Sequence, residues 1–272
     1  MLASHCSTRI DEIHERSVDT DILCLLCRRL LKTNSTIRLV LMSATLAAGK
    51  FQEYFGVSDP VIKVGAKRFP IEEIFLEDLS SKYSFPHKMT KSFESLVSEC
   101  NRLQCKTSPS NSYMEKLFQV VASLATTVGK LGSAVLIFVA GMNDIVSVTE
   151  CIEQLMVPGL VFKCFPIHSD IAFEDQMKVF DDVESNEVKI IIATNAAESS
   201  VTLPDCDHVI CLGLCKQIVY NKLSHRQMLL PTWISRASST QRAGRTSRVR
   251  PGGRVYRMYT RECFTNYMLE FE

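Results

Sequence analysis

Two apolar runs constrain the fold more than any other feature of this sequence. Residues 133–141 read Ser-Ala-Val-Leu-Ile-Phe-Val-Ala-Gly, and residues 188–193 read Val-Lys-Ile-Ile-Ile-Ala. Each run has the length of one strand and is too apolar to leave a face in water, which is typical of a parallel sheet. Residues 113–128 and 143–155 have helical spacing instead. This alternation of strands and helices predicts a doubly wound α/β domain.

Length and charge limit the partners that the chain can bind. Its 272 residues, 46% of them hydrophobic, can bury one or two cores of ordinary domain size. The net charge of +1 excludes a basic surface over the whole molecule, so a site for a polyanion must be local. Arginines do crowd one short region, at Arg236, Arg242, Arg245, Arg248, Arg250, Arg254 and Arg257.

Cysteines and apolar runs bear on the compartment. The eleven cysteines are an odd number without a regular framework, which favours a reduced intracellular compartment, nuclear or cytoplasmic. Cys24 and Cys27 fall in an apolar helical pattern and are interpreted as core thiols rather than metal ligands. The longest apolar run, residues 134–140, is far too short to cross a bilayer, so no membrane partner is expected.

A change of composition divides the chain. Residues 79–112 are rich in serine and lysine without a firm period, and we interpret them as a connector or insertion with a short helix near 93–103. They separate a first domain, residues 1–78, from a second, residues 113–272. Further elements are predicted as strands at 37–42, 61–64, 71–76 and 161–165, helices at 22–31, 51–55 and 173–181, and a hairpin of 216–220 against 227–234.

Adjacent carboxylates near the start of the chain indicate phosphate chemistry. Asp11 and Glu12 begin the stretch Asp-Glu-Ile-His-Glu-Arg. Two such carboxylates can hold a divalent cation and a water, which polarises a phosphate and the water that attacks it. His14 beside them can sense a neighbouring element. The alternative is a charged helix start, since acidic residues are favoured in a first turn.

Small polar residues follow two of the predicted strands. Ser43-Ala-Thr45 comes after the strand at 37–42, and Thr194-Asn195 comes after the strand at 188–193. Open α/β sheets place their ligands at the carboxyl ends of strands, and these side chains offer hydrogen bonds to a phosphate backbone. A capped turn or helix start would use the same residue types, so both interpretations stay open.

The arginine-rich region contains a periodic motif. In Gln-Arg-Ala-Gly-Arg-Thr-Ser-Arg, residues Arg242, Arg245 and Arg248 recur every three positions, on roughly one face of a predicted helix. Neighbouring guanidinium groups repel one another unless an anion lies between them. The motif therefore predicts contacts to a transferring phosphoryl group, with a solvated basic face as the alternative.

Taken together, these motifs resemble those of the DEAH-box RNA helicases. Asp-Glu-Ile-His, Ser-Ala-Thr, the strand with its Gly-Met-Asn-Asp-Ile turn, residues 168–180, residues 193–202 and the arginine motif occur in that family's order and spacing. The resemblance covers nearly the whole chain outside 79–112. It implies tandem RecA-like parallel-sheet lobes, the first one incomplete, that bind ATP and Mg²⁺ between them and move along single-stranded RNA.

The resemblance also implies a role for each matching residue. Asp11 and Glu12 would bind Mg²⁺ through water, and Glu12 would activate the attacking water. His14, Ser43 and Thr45 would couple the nucleotide site to lobe movement. Further implied roles are contacts to the γ-phosphate by Gln241, Arg245 and Arg248, stacking on the base by Phe180, RNA backbone contacts by Thr194 and Asn195, and strand separation by the hairpin at 216–234.

Departures from the family pattern leave rival functions open. The phosphate loop Gly-x-x-x-x-Gly-Lys-Thr/Ser does not occur in the 272 residues, so nucleotide affinity is expected to be weak and the chain to be a fragment without the family's C-terminal domains. Ser247 and Pro204 replace a glycine and an aspartate of the family. The rivals to an ATP-dependent RNA helicase, with or without a protein activator, are a noncatalytic fragment that binds RNA or a protein, and a DNA helicase.

Overall fold

A computed structural model describes residues 6–13, 16–43, 48–62, 69–85, 87–199, 203–221 and 225–270. The chain divides into two compact units, Met1–Lys67 and Arg68–Glu272, which are described one at a time.

Unit 1 is a small α/β element. Strands β1 (Cys6–Ile10) and β2 (Ile37–Leu41) pair in parallel, and helices α1 (Val18–Thr33) and α2 (Ala48–Phe55) accompany them. Side chains of α1 and β1 form its core, with Cys24, Cys27 and Ile10 buried together. The cysteine pair is therefore made of core thiols, as predicted.

Strand β1 and the first turn of α1 were not predicted from the sequence. In Cys6–Ile10 the side chains of Ser7 and Arg9 are exposed while Ile10 is buried, so the strand has no continuous apolar run. Helix α1 begins at Val18, before the predicted start at residue 22. Ser17 is the N-cap, and its hydroxyl accepts a hydrogen bond from the amide of Thr20 at 3.1 Å.

Unit 2 contains a six-stranded sheet in which every pair is parallel, in the order β3-β10-β7-β4-β6-β5. The strands of unit 2 are β3 (Glu72–Phe75), β4 (Ala134–Phe138), β5 (Val161–Ile167), β6 (Glu187–Ala193), β7 (Cys206–Cys211), β8 (Leu214–Asn221), β9 (Arg226–Trp233) and β10 (Arg254–Arg257). All of β4 is buried and so is most of β6, which confirms the parallel α/β sheet predicted from the two apolar runs. Strands β8 and β9 form the predicted antiparallel hairpin.

The helices of unit 2 are α3 (Leu79–Lys82), α4 (His87–Leu103), α5 (Asn111–Val128), α6 (Met142–Glu153), α7 (Phe173–Met177), α8 (Ala196–Ser199) and α9 (Arg236–Ala243). Short turns of 3-10 helix at Lys178–Phe180 and of π-helix at Cys263–Tyr267 complete the regular structure that is described.

The stretch at 79–112 is largely helical. The short helix predicted near 93–103 is the C-terminal part of α4, which buries Phe93, Leu96 and Cys100 in the core cluster of unit 2. The polar residues before Phe93 hid the first turns of the helix from the sequence. Strand β3 also pairs with β10, so residues 72–75 belong to the sheet of unit 2 although the sequence grouped them with residues 1–78.

The remaining expectations have mixed outcomes. Residues 61–62 form no strand, and residues 63–64 lie outside the described residues. A disulfide joins Cys105 to Cys263, although no disulfide framework was expected from the sequence. Within the described ranges, no helix is long and apolar enough to span a bilayer.

Candidate functional site

The acidic motif of unit 1 lies where its two strands end. Asp11 and Glu12 follow β1 directly, and Ser43 lies two residues beyond β2. A backbone hydrogen bond joins the two loops, because the amide of Ile13 donates to the carbonyl of Met42 at 3.2 Å. The structure thus brings together the acid pair and Ser43, which the sequence placed at one functional site. His14 and Thr45 lie outside the described residues.

Glu12 has an unusual backbone. Its φ of 50° lies in the left-handed region, which few residues other than glycine adopt. Its amide donates to Oδ1 of Asp11 at 2.9 Å, so the aspartate stabilises this turn. A left-handed residue at a strand end is a common way to aim a functional side chain. Among the described residues, no three His, Cys, Asp or Glu side chains form a group that could hold a metal ion.

The predicted RNA contacts lie at the carboxyl end of the large sheet. Thr194 and Asn195 follow β6, and the amide of Thr194 donates to the carbonyl of Ile167 at 3.2 Å. Thr194 is buried, whereas Asn195 is exposed and precedes helix α8. Only Asn195 therefore presents its side chain freely to solvent, while the Thr194 backbone shapes the turn.

A cation and a carboxyl lie at the same end of the sheet. The side chain of Lys216 packs against Gly141, where an added Cβ would come within 2.6 Å of Lys216 Cε. The amide of Ala140 donates to Oδ2 of Asp144 at 3.1 Å. Burial raises the pKa of Asp144, and the Ala140 amide and Lys216 oppose that shift. The carboxyl end of the sheet thus holds a lysine that the motifs did not predict.

Arg242 does not lie on one helical face with Arg245 and Arg248. Helix α9 ends at Ala243, so of the three arginines Arg242 alone lies in it. Its side chain is fully buried, and its Nε lies 2.9 Å from Glu198 Oε2. The prediction of one helical face is therefore wrong. Arg242 instead joins α9 to α8, and its guanidinium also donates to the carbonyl of Leu214 at 3.1 Å and lies over the ring of Phe138.

The rest of the arginine motif runs toward the opposite, amino end of the sheet. Thr246 donates its hydroxyl to the carbonyls of Cys206 at 3.0 Å and Asp207 at 2.8 Å, at the beginning of β7. Arg250 binds the Asp207 carboxylate through Nε at 2.6 Å and Nη2 at 2.8 Å. We call residues 244–250 the arginine loop.

The catalytic candidates of the motif differ in their exposure to solvent. Gln241 is half-buried on α9, Arg245 is buried, and Arg248 is half-buried. Nε of Arg248 donates to the carbonyl of Gly244 at 2.8 Å, which folds its stem back over the beginning of the arginine loop.

Ser247 is strained in the way that its replacement of a glycine predicts. Its φ is 54°, in the left-handed region. The side chain is buried, and its Oγ accepts a hydrogen bond from the amide of Gly253 at 3.0 Å. The serine hydroxyl thus holds the arginine loop to the turn before β10 and offsets part of the strain.

Phe180 lies at the same end of the sheet as the arginine loop. It closes the 3-10 turn after α7, with 44% of its surface exposed. Nζ of Lys189, near the beginning of β6, donates to the carbonyls of Val179 and Asp181, both at 3.0 Å. The structure therefore places Phe180 and the arginine loop near the amino end of the sheet, and Thr194 and Asn195 at its carboxyl end.

Comparison with known proteins decides the family. The model of the helicase conserved C-terminal domain matches residues 115–250, half of the chain. The DExH-box ATP-dependent RNA helicase DExH1 of Arabidopsis thaliana is 31% identical over 298 residues, which cover 96% of this chain and 30% of that protein. The chain belongs to the DEAH-box helicase family.

Two further relatives cover nearly all of this chain. ATP-dependent RNA helicase TDRD9 of Homo sapiens is 34% identical over 278 residues, 94% of this chain and 19% of that protein. ATP-dependent RNA helicase dhx29 of Xenopus laevis is 28% identical over 306 residues, 95% of this chain and 22% of that protein. The chain thus spans less than a third of the length of these curated relatives.

The sequence motifs did not identify contacts for three side chains near the candidate site. These are Lys189, Glu198 and Lys216, although Glu198 lies within the matched stretch at 193–202 and Lys216 begins the predicted hairpin at 216–234. Lys189 gave one signal, since a lysine inside an otherwise apolar strand must find partners when it is buried. The contacts of Glu198 and Lys216 depend on segments distant in sequence and could not be inferred from spacing.

Proposed function

We propose that the chain forms part of an ATP-dependent RNA helicase core, in which ATP hydrolysis drives movement along single-stranded RNA and remodelling of duplexes or ribonucleoproteins. The observation that carries the proposal is that two groups of candidate residues lie at opposite ends of one sheet. Phe180 and the arginine loop lie near its amino end, and Asn195 and Lys216 lie at its carboxyl end. One rigid sheet can therefore transmit a change at one ligand to the other.

The nucleotide side of the proposal uses carboxylates, guanidinium groups and one aromatic ring. Asp11 and Glu12 would hold Mg²⁺ through water, and Glu12 would orient the attacking water. The bound cation would neutralise charge that develops on the phosphates. Arg245 and Arg248 would stabilise the γ-phosphoryl group, with Gln241 beside them, and Phe180 would stack on the base.

The RNA side relies on backbone contacts. Asn195 offers an amide and Lys216 offers a positive charge, and neither reads bases. The hairpin of β8 and β9 carries an exposed cross-strand pair, Ile218 at 68% and Leu229 at 60% exposure, which suits a wedge against stacked bases. No sequence preference follows from contacts of this kind.

Coupling between the two sides would pass through buried structure. The ion pair of Glu198 with Arg242 joins α8, just behind Asn195, to α9, which leads into the arginine loop. Ser43 would act in unit 1, where its loop lies beside the acid pair, together with His14 and Thr45. A protein activator would act on the same coupling between the nucleotide side and the RNA side.

A second candidate is a noncatalytic module that binds RNA or a protein. The observation that favours it is the lack of a Gly-x-x-x-x-Gly-Lys-Thr/Ser loop in the 272 residues. Without that cradle of amides and its lysine, affinity for the β- and γ-phosphates is expected to be low.

RNA-stimulated ATP hydrolysis separates the two candidates. We expect no measurable turnover from the 272-residue chain, and RNA-stimulated turnover from a form extended upstream to include a phosphate loop. In that form Arg248→Ala should lower kcat by about 10³ or more, as for an arginine finger, and Glu12→Gln should abolish turnover. An extended form that binds RNA but never hydrolyses ATP would establish the noncatalytic module instead.

A further inference from the structure

Lys189 is a buried lysine in an apolar strand. It is the third residue of β6, and only 7% of its surface is exposed. Its Nζ donates to two carbonyls, those of Val179 and Asp181, and forms an ion pair with Oδ2 of Asp205 at 3.2 Å. Three oxygen partners satisfy the three donors of an ammonium group, so the charge is fully compensated.

The two carbonyls belong to the residues on either side of Phe180. The amide of Asp181 also donates to the carbonyl of Lys178 at 3.1 Å, which closes the turn. Val179 is buried, while the ring of Phe180 remains 44% exposed. The backbone is therefore held before and after Phe180, and its ring faces outward from a fixed point.

Asp205 extends this arrangement to the arginine loop. While its carboxylate binds Lys189, its carbonyl accepts a hydrogen bond from Nη2 of Arg250 at 3.3 Å. Asp205 thus contacts both the lysine that holds the Phe180 turn and an arginine of the arginine loop.

We propose that Lys189, held by Asp205, is a positioning residue that fixes Phe180 for stacking on the nucleotide base and sets its place relative to the arginine loop. This inference rests on the proposed function, since it requires Phe180 to contact a base. A lysine that only stabilised the fold would affect the binding of the base and of the phosphates to the same degree. A positioning lysine affects the base selectively.

The chain offers a matched control. Lys163 on β5 lies beside Lys189 in the sheet register, but it is exposed, pairs with Glu187 at 3.1 Å and lies over the ring of Phe165. Lys189→Met removes the three donors while keeping most of the length of the side chain, and Lys163→Met makes the same change at the surface. Asp205→Asn is a milder second variant, which keeps shape and the Arg250 contact if Lys189→Met does not fold.

The first measurement is hydrogen exchange of the amides in residues 178–182. We expect faster exchange in Lys189→Met, or in Asp205→Asn, and no change in Lys163→Met. Unchanged exchange in the Lys189 and Asp205 variants overturns the proposal, because the turn would then be held by something else.

The second measurement is saturation-transfer NMR with ADP, which detects weak binding. The signal of adenine H2 and H8 relative to ribose H1′ should fall at least twofold in Phe180→Ala and in Lys189→Met. The double variant should show little further loss of that signal, because both changes act on one contact. A fall in Phe180→Ala alone overturns the role of Lys189 only. No adenine signal in the unaltered chain, or no effect of Phe180→Ala, contradicts the base contact of the proposed function and the inference with it.

Discussion

Ser247 shows how one residue can carry both strain and a compensating contact. It adopts a left-handed backbone at φ 54°, where a side chain costs about 1 kcal/mol or more relative to glycine. Its Oγ accepts the Gly253 amide at 3.0 Å, and a buried amide that loses its acceptor costs about 1–3 kcal/mol. The serine is therefore tolerated because the hydrogen bond to its hydroxyl offsets the cost of the left-handed backbone.

Replacing Ser247 by glycine and by alanine separates these two effects. Both variants lose the hydroxyl, but only Ser247→Gly relieves the strain, so it should be more stable than Ser247→Ala by about 1 kcal/mol. Urea unfolding of the two variants measures the difference directly. An alanine variant as stable as the glycine variant would show that the left-handed conformation carries no cost.

At the scale of elements, sequence and structure agree where the apolar pattern of the residues is regular and differ where polar residues interrupt it. The strands at β4 and β6 and the hairpin were predicted, because an apolar run or an alternation identifies them. Strand β7 was missed, since Asp207 and His208 interrupt its apolar residues, and β10 was missed because arginines flank it. Helix α4 was predicted only over residues 93–103, because polar residues fill its first turns.

Replacing Arg242 tests how much its buried ion pair with Glu198, between α8 and α9, contributes to stability. Arg242→Met leaves Glu198 on α8 without its partner in a site where that carboxylate is only 15% exposed, and should lower the free energy of unfolding by about 3–5 kcal/mol. Chemical denaturation measures this change.

The matched control for Arg242 is Arg254→Met. Arg254 forms an exposed ion pair with Glu72, so its loss should cost about 1 kcal/mol or less. Equal costs at the two positions would mean that the α8–α9 link contributes no more than a surface pair.

For the whole molecule, the candidate site residues could be named from the sequence, but their arrangement in the sheet could not. The order of the motifs predicted ligand contacts for Thr194-Asn195 and for the arginine motif. The predicted end of the strand at 188–193 also indicated where Asn195 lies. That the arginine loop runs back to the amino end depends on the end of α9 at Ala243 and on the Thr246 contacts with β7, which are tertiary. The burial of Arg242 depends on Glu198, 44 residues away.

The claim that RNA binds at the carboxyl end of the sheet is tested most directly by the dissociation constant of a labelled single-stranded oligouridylate. Asn195→Asp places a negative charge where the account puts a phosphate, and should raise that constant by about tenfold or more. Arg248→Ala, in the arginine loop, should change it less than about twofold. An unchanged constant in Asn195→Asp, or an equal loss of affinity in Arg248→Ala, would contradict the account.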